Sequence, residues 1–186
     1  MNLDIVRGKL PEYAKDLRLN LSTALAQPAL SEQQTWGAAL ASAWAVANSE
    51  LLQAVAEEAR VRLSPAAFEA AQGAAAIMGM NNVYYRFLHL SSNESYRTMR
   101  AGLRMNVIRS HGVEPADFEL WCLAVSAIHG CGACVDSHEK VVRQKGLSEE
   151  AVLSAVRIAA VVHAVARALD AETALNVSHA PAVASA

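Results

Sequence analysis

Apolar residues recur along this chain at intervals of three and four, and nowhere does it settle into the two-residue alternation of a half-buried strand. Leu10, Tyr13, Ala14, Leu17, Leu21, Ala24 and Leu25 share one face of a first helix predicted from about Pro11 to Ala26, with Pro28 beyond its end. Ser31 is placed to cap a helix reaching about Ala47, and Asn48 one reaching about Val61. Ser64 with Pro65 starts another that runs through Met80 as far as Tyr85. The polar stretch Ser91 to Ser95 is the best internal break, followed by a shorter helix expected around Met99 to Ser110. Glu114 and Pro115 open a helix that carries Phe118, Trp121, Cys122, Val125 and Ile128 and is interrupted at His129 and Gly130. A further helix begins near Cys131 and stops at Gly146, and Ser148 with Glu149 and Glu150 opens the last, to about Leu169. From Ala171 to Ala186 the periodicity is lost and a loose tail is expected.

The pattern also repeats. Leu63, Ser64, Ala67, Ala71, Ala75 and Ala76 match Leu147, Ser148, Ala151, Ala155, Ala159 and Ala160 at a constant offset, and Trp36 lies one residue off that register from Trp121. This predicts an all-α bundle of two duplicated helical units, with halves at about 1–95 and 96–170 of one domain. On this register the counterparts of the two cysteines in the second half fall near Val46 and Ser49.

Composition narrows the function. Of 186 residues, 53% are hydrophobic but only 5% aromatic, which suits close packing of alanine-rich helices in a domain able to bury roughly two thirds of its unfolded surface. Sixteen basic residues against 18 acidic ones, without a basic stripe, argue against nucleic acid and anionic membrane surfaces as partners. Residues 1–10 mix Asp4, Arg7 and Lys9 and lack a secretory pattern. Apolar runs such as 73–80 and 158–162 are far shorter than the ~20 residues of a bilayer span. The expectation is a cytoplasmic protein, in which three cysteines are more useful for redox or metal chemistry than as a disulfide scaffold.

Cys131, Cys134 and His138 occupy positions i, i+3 and i+7, which fall within about 60° of one another on a helix. They stand at a predicted helix start, where free N–H groups and the dipole favour a thiolate. If the flanking helices form an antiparallel hairpin turning at Gly130, Glu119 reaches the depth of His138 and can orient its imidazole. Carboxylate, histidine, thiol and thiol make a proton path that leads to a nucleophile. The same four groups could instead hold a structural zinc, although the second Cys-x-x-Cys usual in such sites is missing.

The segment Phe118-Glu119-Leu120-Trp121, the stretch Ala124 to Ile128, Gly130-Cys131, Cys134 and His138-Glu139 closely resemble the alkyl hydroperoxidase D (AhpD) family of the carboxymuconolactone decarboxylase-like superfamily. The likeness extends to Leu10 through Asp16, Trp36-Gly37, Ala74 through Val83 and Gly102 through Asn106, and covers roughly residues 3–170. It implies an all-α fold, commonly homotrimeric, with thiol peroxidase activity and no tightly bound cofactor. Dihydrolipoamide on a lipoyl-bearing acyltransferase is the implied external reductant, and AhpC, the peroxiredoxin of the alkyl hydroperoxide reductase system, the implied partner. Position by position, the resemblance makes Cys134 the peroxidatic cysteine, Cys131 the resolving thiol, and His138 with Glu119 the proton relay.

The chain departs from the family in two places: Ala133 stands where members carry His, and His129 where they carry Asn. The first change opens an alternative, a disulfide-exchange adaptor with little peroxidase activity of its own. A decarboxylase like the superfamily's namesakes needs no paired cysteines. His129 is either a cation at a helix end or a replacement imidazole leaning over the thiols. Cys122 and His163 are expected in the core, His163 hydrogen-bonded, and Met78, Met80, Met99 and Met105 are expected to be core filler. Asn81 and Asn82 either pair across a subunit interface or mark a helix end, and His89, His111 and His179 default to the surface.

Overall fold

The computed structural model describes residues 2–178. Among these there are nine α-helices, α1 (Leu3–Lys9), α2 (Lys15–Ala24), α3 (Glu32–Val46), α4 (Ser49–Arg62), α5 (Pro65–Leu90), α6 (Ser95–Thr98), α7 (Pro115–His129), α8 (Gly132–Gln144) and α9 (Glu149–Ser178), two 3₁₀ turns at Glu12–Ala14 and Asn106–Arg109, and no strand. The fold is the all-α bundle that the periodicity predicts.

Most helix starts lie where a capping side chain stands. Ser31 Oγ accepts the N–H of Gln34 while Gln34 returns a bond to the Ser31 N–H, a complete capping box. Asn48 Oδ1 accepts from Leu51 N–H at 2.9 Å and opens α4. Ser64 Oγ accepts from Ala67 N–H at 3.1 Å, and Ser148 Oγ accepts from Ala151 N–H at the same 3.1 Å. These two matched caps belong to matched triplets: α3, α4 and α5 have 15, 14 and 26 residues, and α7, α8 and α9 have 15, 13 and 30. Left-handed residues, Ala47 at φ 57° and Gly130 at φ 66°, end the first helix of each triplet. The structural counterpart of Cys131 is therefore Asn48, the residue that caps α4, and that of Cys134 is Leu51, which shifts the expected equivalences at Val46 and Ser49 by two residues.

The core lies where α3 and α7 cross, with α5 and α9 packed against both. Along α3, Ala38, Ala39, Leu40, Ala41 and Ala43 are completely buried, as are Leu120 through Val125 on α7. Helices apolar on every side belong at the centre of a bundle, and small side chains let their axes approach. The closest approach is at Gly37, where a Cβ would stand 2.1 Å from the Trp121 indole. The indole N–H in turn donates to the Gln34 carbonyl at 3.2 Å. Asp117, buried at the start of α7, accepts from Gln33 and Gln34 at 2.6 and 2.8 Å and ties the two helices together at one end.

Four expectations are corrected. The single helix at 11–26 is split: Pro11 leads into the 3₁₀ turn, α2 begins only at Lys15, and α1 precedes it, capped by Asn2. The helix expected at Met99–Ser110 does not form beyond the short turn at Asn106–Arg109. Gly102 takes φ 68°, Met99 and Leu103 are exposed, and only Val107 and Ile108 pack on the core, too short an apolar face to offset the cost of helix nucleation there. Helix α5 continues past Tyr85 to Leu90, with the Arg86 guanidinium donating to the His129 carbonyl. Helix α9 continues past Leu169 to Ser178, so Ala171–Ser178 is not a tail; the Asn48 amide donates to Asp170 at 2.6 Å and Tyr13 Oη to Glu172 at 2.7 Å. Residues 179–186 of the expected tail, His179 with them, lie outside the described residues.

By length and composition the stretch Glu149–Asn176 of α9 could cross a membrane, which the short apolar runs had not indicated. Its face of Ala151, Ala155, Ile158, Ala159, Val162, Val165, Ala166 and Leu169 is buried against α2, α3 and α7, as in a core helix.

Candidate active site

The turn between α7 and α8 builds the site. Gly130 adopts the left-handed conformation that closes α7, its N–H donating to Ala127, and the next N–H, of Cys131, reaches back to the Ser126 carbonyl at 3.2 Å. Cys131 then takes the N-cap position of α8, and its side chain makes no capping bond. Where the first triplet puts a capping amide, Asn48, the second puts a sulfur, at the end of a helix whose dipole attracts an anion.

Cys134 sits one turn into α8. Its Cα is 5.3 Å from that of Cys131 and the two sulfurs are bonded. Cys131 has no exposed surface, whereas Cys134 is 5% exposed and lines a cavity of about 350 Å³ between α5, α7 and α8. Of the two, Cys134 faces the space a substrate would enter.

His138 and Glu119 line the same cavity. His138 Nδ1 lies 2.6 Å from Glu119 Oε2, both side chains being mostly buried, so the α7–α8 hairpin brings them to one depth. A carboxylate accepting the Nδ1 proton leaves Nε2 as the basic nitrogen. That Nε2 is 3.2 Å from Met78 Sδ, so Met78, expected to be core filler, touches the site directly. The four predicted site residues thus stand together: Cys131 and Cys134 bonded, Cys134 and His138 on one cavity, Glu119 on His138.

His129 goes elsewhere. Its Nδ1 lies 3.0 Å from the Asn82 amide nitrogen, and it lines a different cavity of about 370 Å³ with Trp44, Val83 and Arg86. It is the last residue of α7, the helix-end position expected, but burial, then the Arg86 guanidinium, then His163 hold its pKa below the ordinary histidine value and disfavour the cation, and its place on this other cavity means it does not lean over the thiols. Asn82 is fully buried and bonded within the chain on both sides, accepting from Ser126 Oγ at 3.0 Å. Neither Asn81 nor Asn82 ends a helix.

Among the remaining expectations, Cys122 is a buried free thiol whose pKa is pushed well above normal by burial and then by Glu119. His163 departs from the hydrogen-bonded core residue expected: among the described residues its buried Nδ1 has no partner. Met99 is exposed rather than core. His89 is exposed, and His111 stacks on Phe118 with ring centroids 4.3 Å apart. As for zinc, no three His, Cys, Asp or Glu side chains among the described residues converge as ligands.

Comparison with known proteins identifies the family. The family model described as "Carboxymuconolactone decarboxylase family" matches residues 94–176, which include all four site residues. A protein of Acidobacterium capsulatum named alkyl hydroperoxide reductase AhpD is 59% identical over 173 residues, covering 92% of this chain and 94% of that protein. The proteins of that name from Solibacter usitatus and Rhodospirillum centenum are 56% and 53% identical, over 92% and 95% of this chain. With that identity spread along both helical triplets, this chain belongs to the AhpD family.

Proposed function

We propose that this protein is an antioxidant thiol peroxidase that reduces alkyl hydroperoxides through a redox disulfide between Cys131 and Cys134. The observation that carries the reading is the pairing of Cys134 with the Glu119–His138 couple on one cavity. The names of the relatives, alkyl hydroperoxide reductase AhpD, support the substrate class.

In the reduced protein, His138 takes the proton of the Cys134 thiol, its imidazolium stabilised by Glu119. The thiolate attacks the terminal oxygen of the hydroperoxide, an S–O bond forms, the O–O bond breaks, and the departing alkoxide takes a proton to become the alcohol. Cys131 then displaces hydroxide from the Cys134 sulfenic acid, releasing water and closing the disulfide. A dihydrolipoamide dithiol opens that disulfide by exchange, so each cycle turns one hydroperoxide and one dihydrolipoamide into alcohol, water and lipoamide.

The proposal extends to the surroundings of the reaction. A lipoyl-bearing acyltransferase would supply the electrons, the peroxiredoxin AhpC would be regenerated by the same dithiol, and the protein would work in the cytoplasm. It would assemble as a homotrimer, as the family resemblance implies, and the exposed apolar residues Val83 at 61%, Phe87 at 51%, Leu90 at 74% and Met99 at 60% are a surface on which copies could associate.

The second reading is a disulfide-exchange adaptor for the peroxiredoxin, favoured by Ala133 lining the cavity where the family carries an imidazole. Steady-state consumption of an alkyl hydroperoxide with dihydrolipoamide, with and without the peroxiredoxin, separates the two. Turnover by this protein alone, raised further by Ala133→His, is the expected result; turnover only with the peroxiredoxin present would make it the adaptor.

A further inference from the structure

Asn81 stands on α5 one turn beyond Met78, the residue whose sulfur touches His138 Nε2. It is only 4% exposed, its Oδ1 is buried with no hydrogen-bond partner, and it lines the cavity that holds Cys134 and His138. A buried amide oxygen left without a donor is a net cost to folding, so the fold gains nothing from it. Its neighbour Asn82 shows what a structural asparagine looks like here, with both ends of its amide engaged by Ser126 and His129. The other uncharged polar side chains on the cavity do not share the position of Asn81: Ser137 is exposed, and the Tyr85 hydroxyl points to Met105 Sδ at 3.8 Å. Met78, Ile108, Ala133 and Val141 make the rest of the wall apolar.

We propose that Asn81 is the anchor for the hydroperoxide group, an inference that rests on the peroxidase reading above. The orphan Oδ1 accepts the O–H of the hydroperoxide and so presents its terminal oxygen to Cys134, while the organic group lies against the apolar wall. When the Cys134 thiolate attacks, the new S–O bond forms to the anchored oxygen, which keeps its proton. The O–O electron pair leaves with the alkoxide, and the proton that His138 took from the thiol neutralises it. Sulfur is oxidised by two electrons and the peroxide bond is reduced by two. The anchor serves only this half of the cycle, because opening the disulfide by a dithiol involves no peroxide.

The test is Asn81→Leu and Asn81→Ala in the full chain, with each half-reaction measured separately. The expected result is a fall in kcat/KM for an alkyl hydroperoxide of about tenfold or more, the worth of one buried hydrogen bond, carried by a higher KM. The rate at which dihydrolipoamide reduces the disulfide should stay at the wild-type value, and thermal stability should be equal or higher, since an unpaired polar atom has been removed. Wild-type peroxide kinetics in the variants, or an equal loss in both half-reactions, would overturn the anchor while leaving the peroxidase intact. A wild type that consumes no hydroperoxide would overturn the function first and the anchor with it. Asn81→Ala keeps the test open if the larger leucine is not accommodated.

Discussion

Glu119 Oε2 lies 2.6 Å from Nδ1 of His138, a contact between residues 19 positions apart that exists only because Gly130 turns α8 back along α7. In the mechanism proposed above it makes one proton-handling unit of two side chains on different helices. Removing the carboxylate as Glu119→Gln should therefore lower peroxide turnover roughly 10²-fold, in the range of a lost general base, with the fold intact by circular dichroism. Because the two residues act as a unit, Glu119→Gln combined with His138→Gln should be little worse than either alone. Additive losses would show that they act separately.

The unequal exposure of the two cysteines predicts their roles. After peroxide treatment, Cys131→Ser should carry a sulfenic acid that a dimedone-type reagent traps, whereas Cys134→Ser, whose remaining thiols Cys131 and Cys122 are both fully buried, should not. Mass spectrometry of the adduct reads the outcome, and the opposite pattern would exchange the roles.

Cys122 is held protonated by burial and by the nearby Glu119 carboxylate. Iodoacetamide added to the reduced, folded protein should modify Cys134, the cysteine on the cavity, and leave Cys122 untouched until denaturant is present. Peptide mapping distinguishes this from general labelling.

His129 contributes a pH dependence to stability whose sign follows from its lowered pKa. The folded protein keeps the imidazole neutral while the unfolded chain protonates it near the reference value of about 6.5. Its contribution is present above that value and is lost as pH falls from there through the folded pKa. Denaturant midpoints taken on either side of that value should therefore fall less with acidification in His129→Gln than in the wild type. The pH dependence of thiol alkylation should be unchanged in the same variant, since His129 lines a different cavity from Cys134.

Gly37 has no room for a side chain, because its Cβ would lie 2.1 Å from the fully buried indole of Trp121. Gly37→Ala should cost about 3 kcal/mol, lowering Tm by roughly 6–12 °C in a protein of this size. Trp121→Phe should cost less in the Gly37→Ala background than alone, a coupling that a double-mutant cycle in thermal unfolding would measure.

What the sequence determined by itself is local or periodic. The caps at Ser31, Asn48, Ser64 and Ser148 begin their helices because a side-chain oxygen meets an N–H three residues on, a contact the chain makes without help from distant residues. The spacing of Cys131, Cys134 and His138 likewise needed only the geometry of one helix. The segment Met99–Ser110 had the apolar residues of a helix, but only Val107 and Ile108 at its end find a surface to pack on while Met99 and Leu103 stay exposed, and burial is a property of the whole fold. Tertiary structure alone could put Met78 against His138, send His129 to Asn82 instead of the thiols, and leave the Oδ1 of Asn81 without a partner on the cavity of Cys134. Each of these depends on which faces of α5, α7 and α8 meet, and at long range that choice is made by packing, by the fit of Trp121 over Gly37 and its like, not by the spacing of residues along the chain.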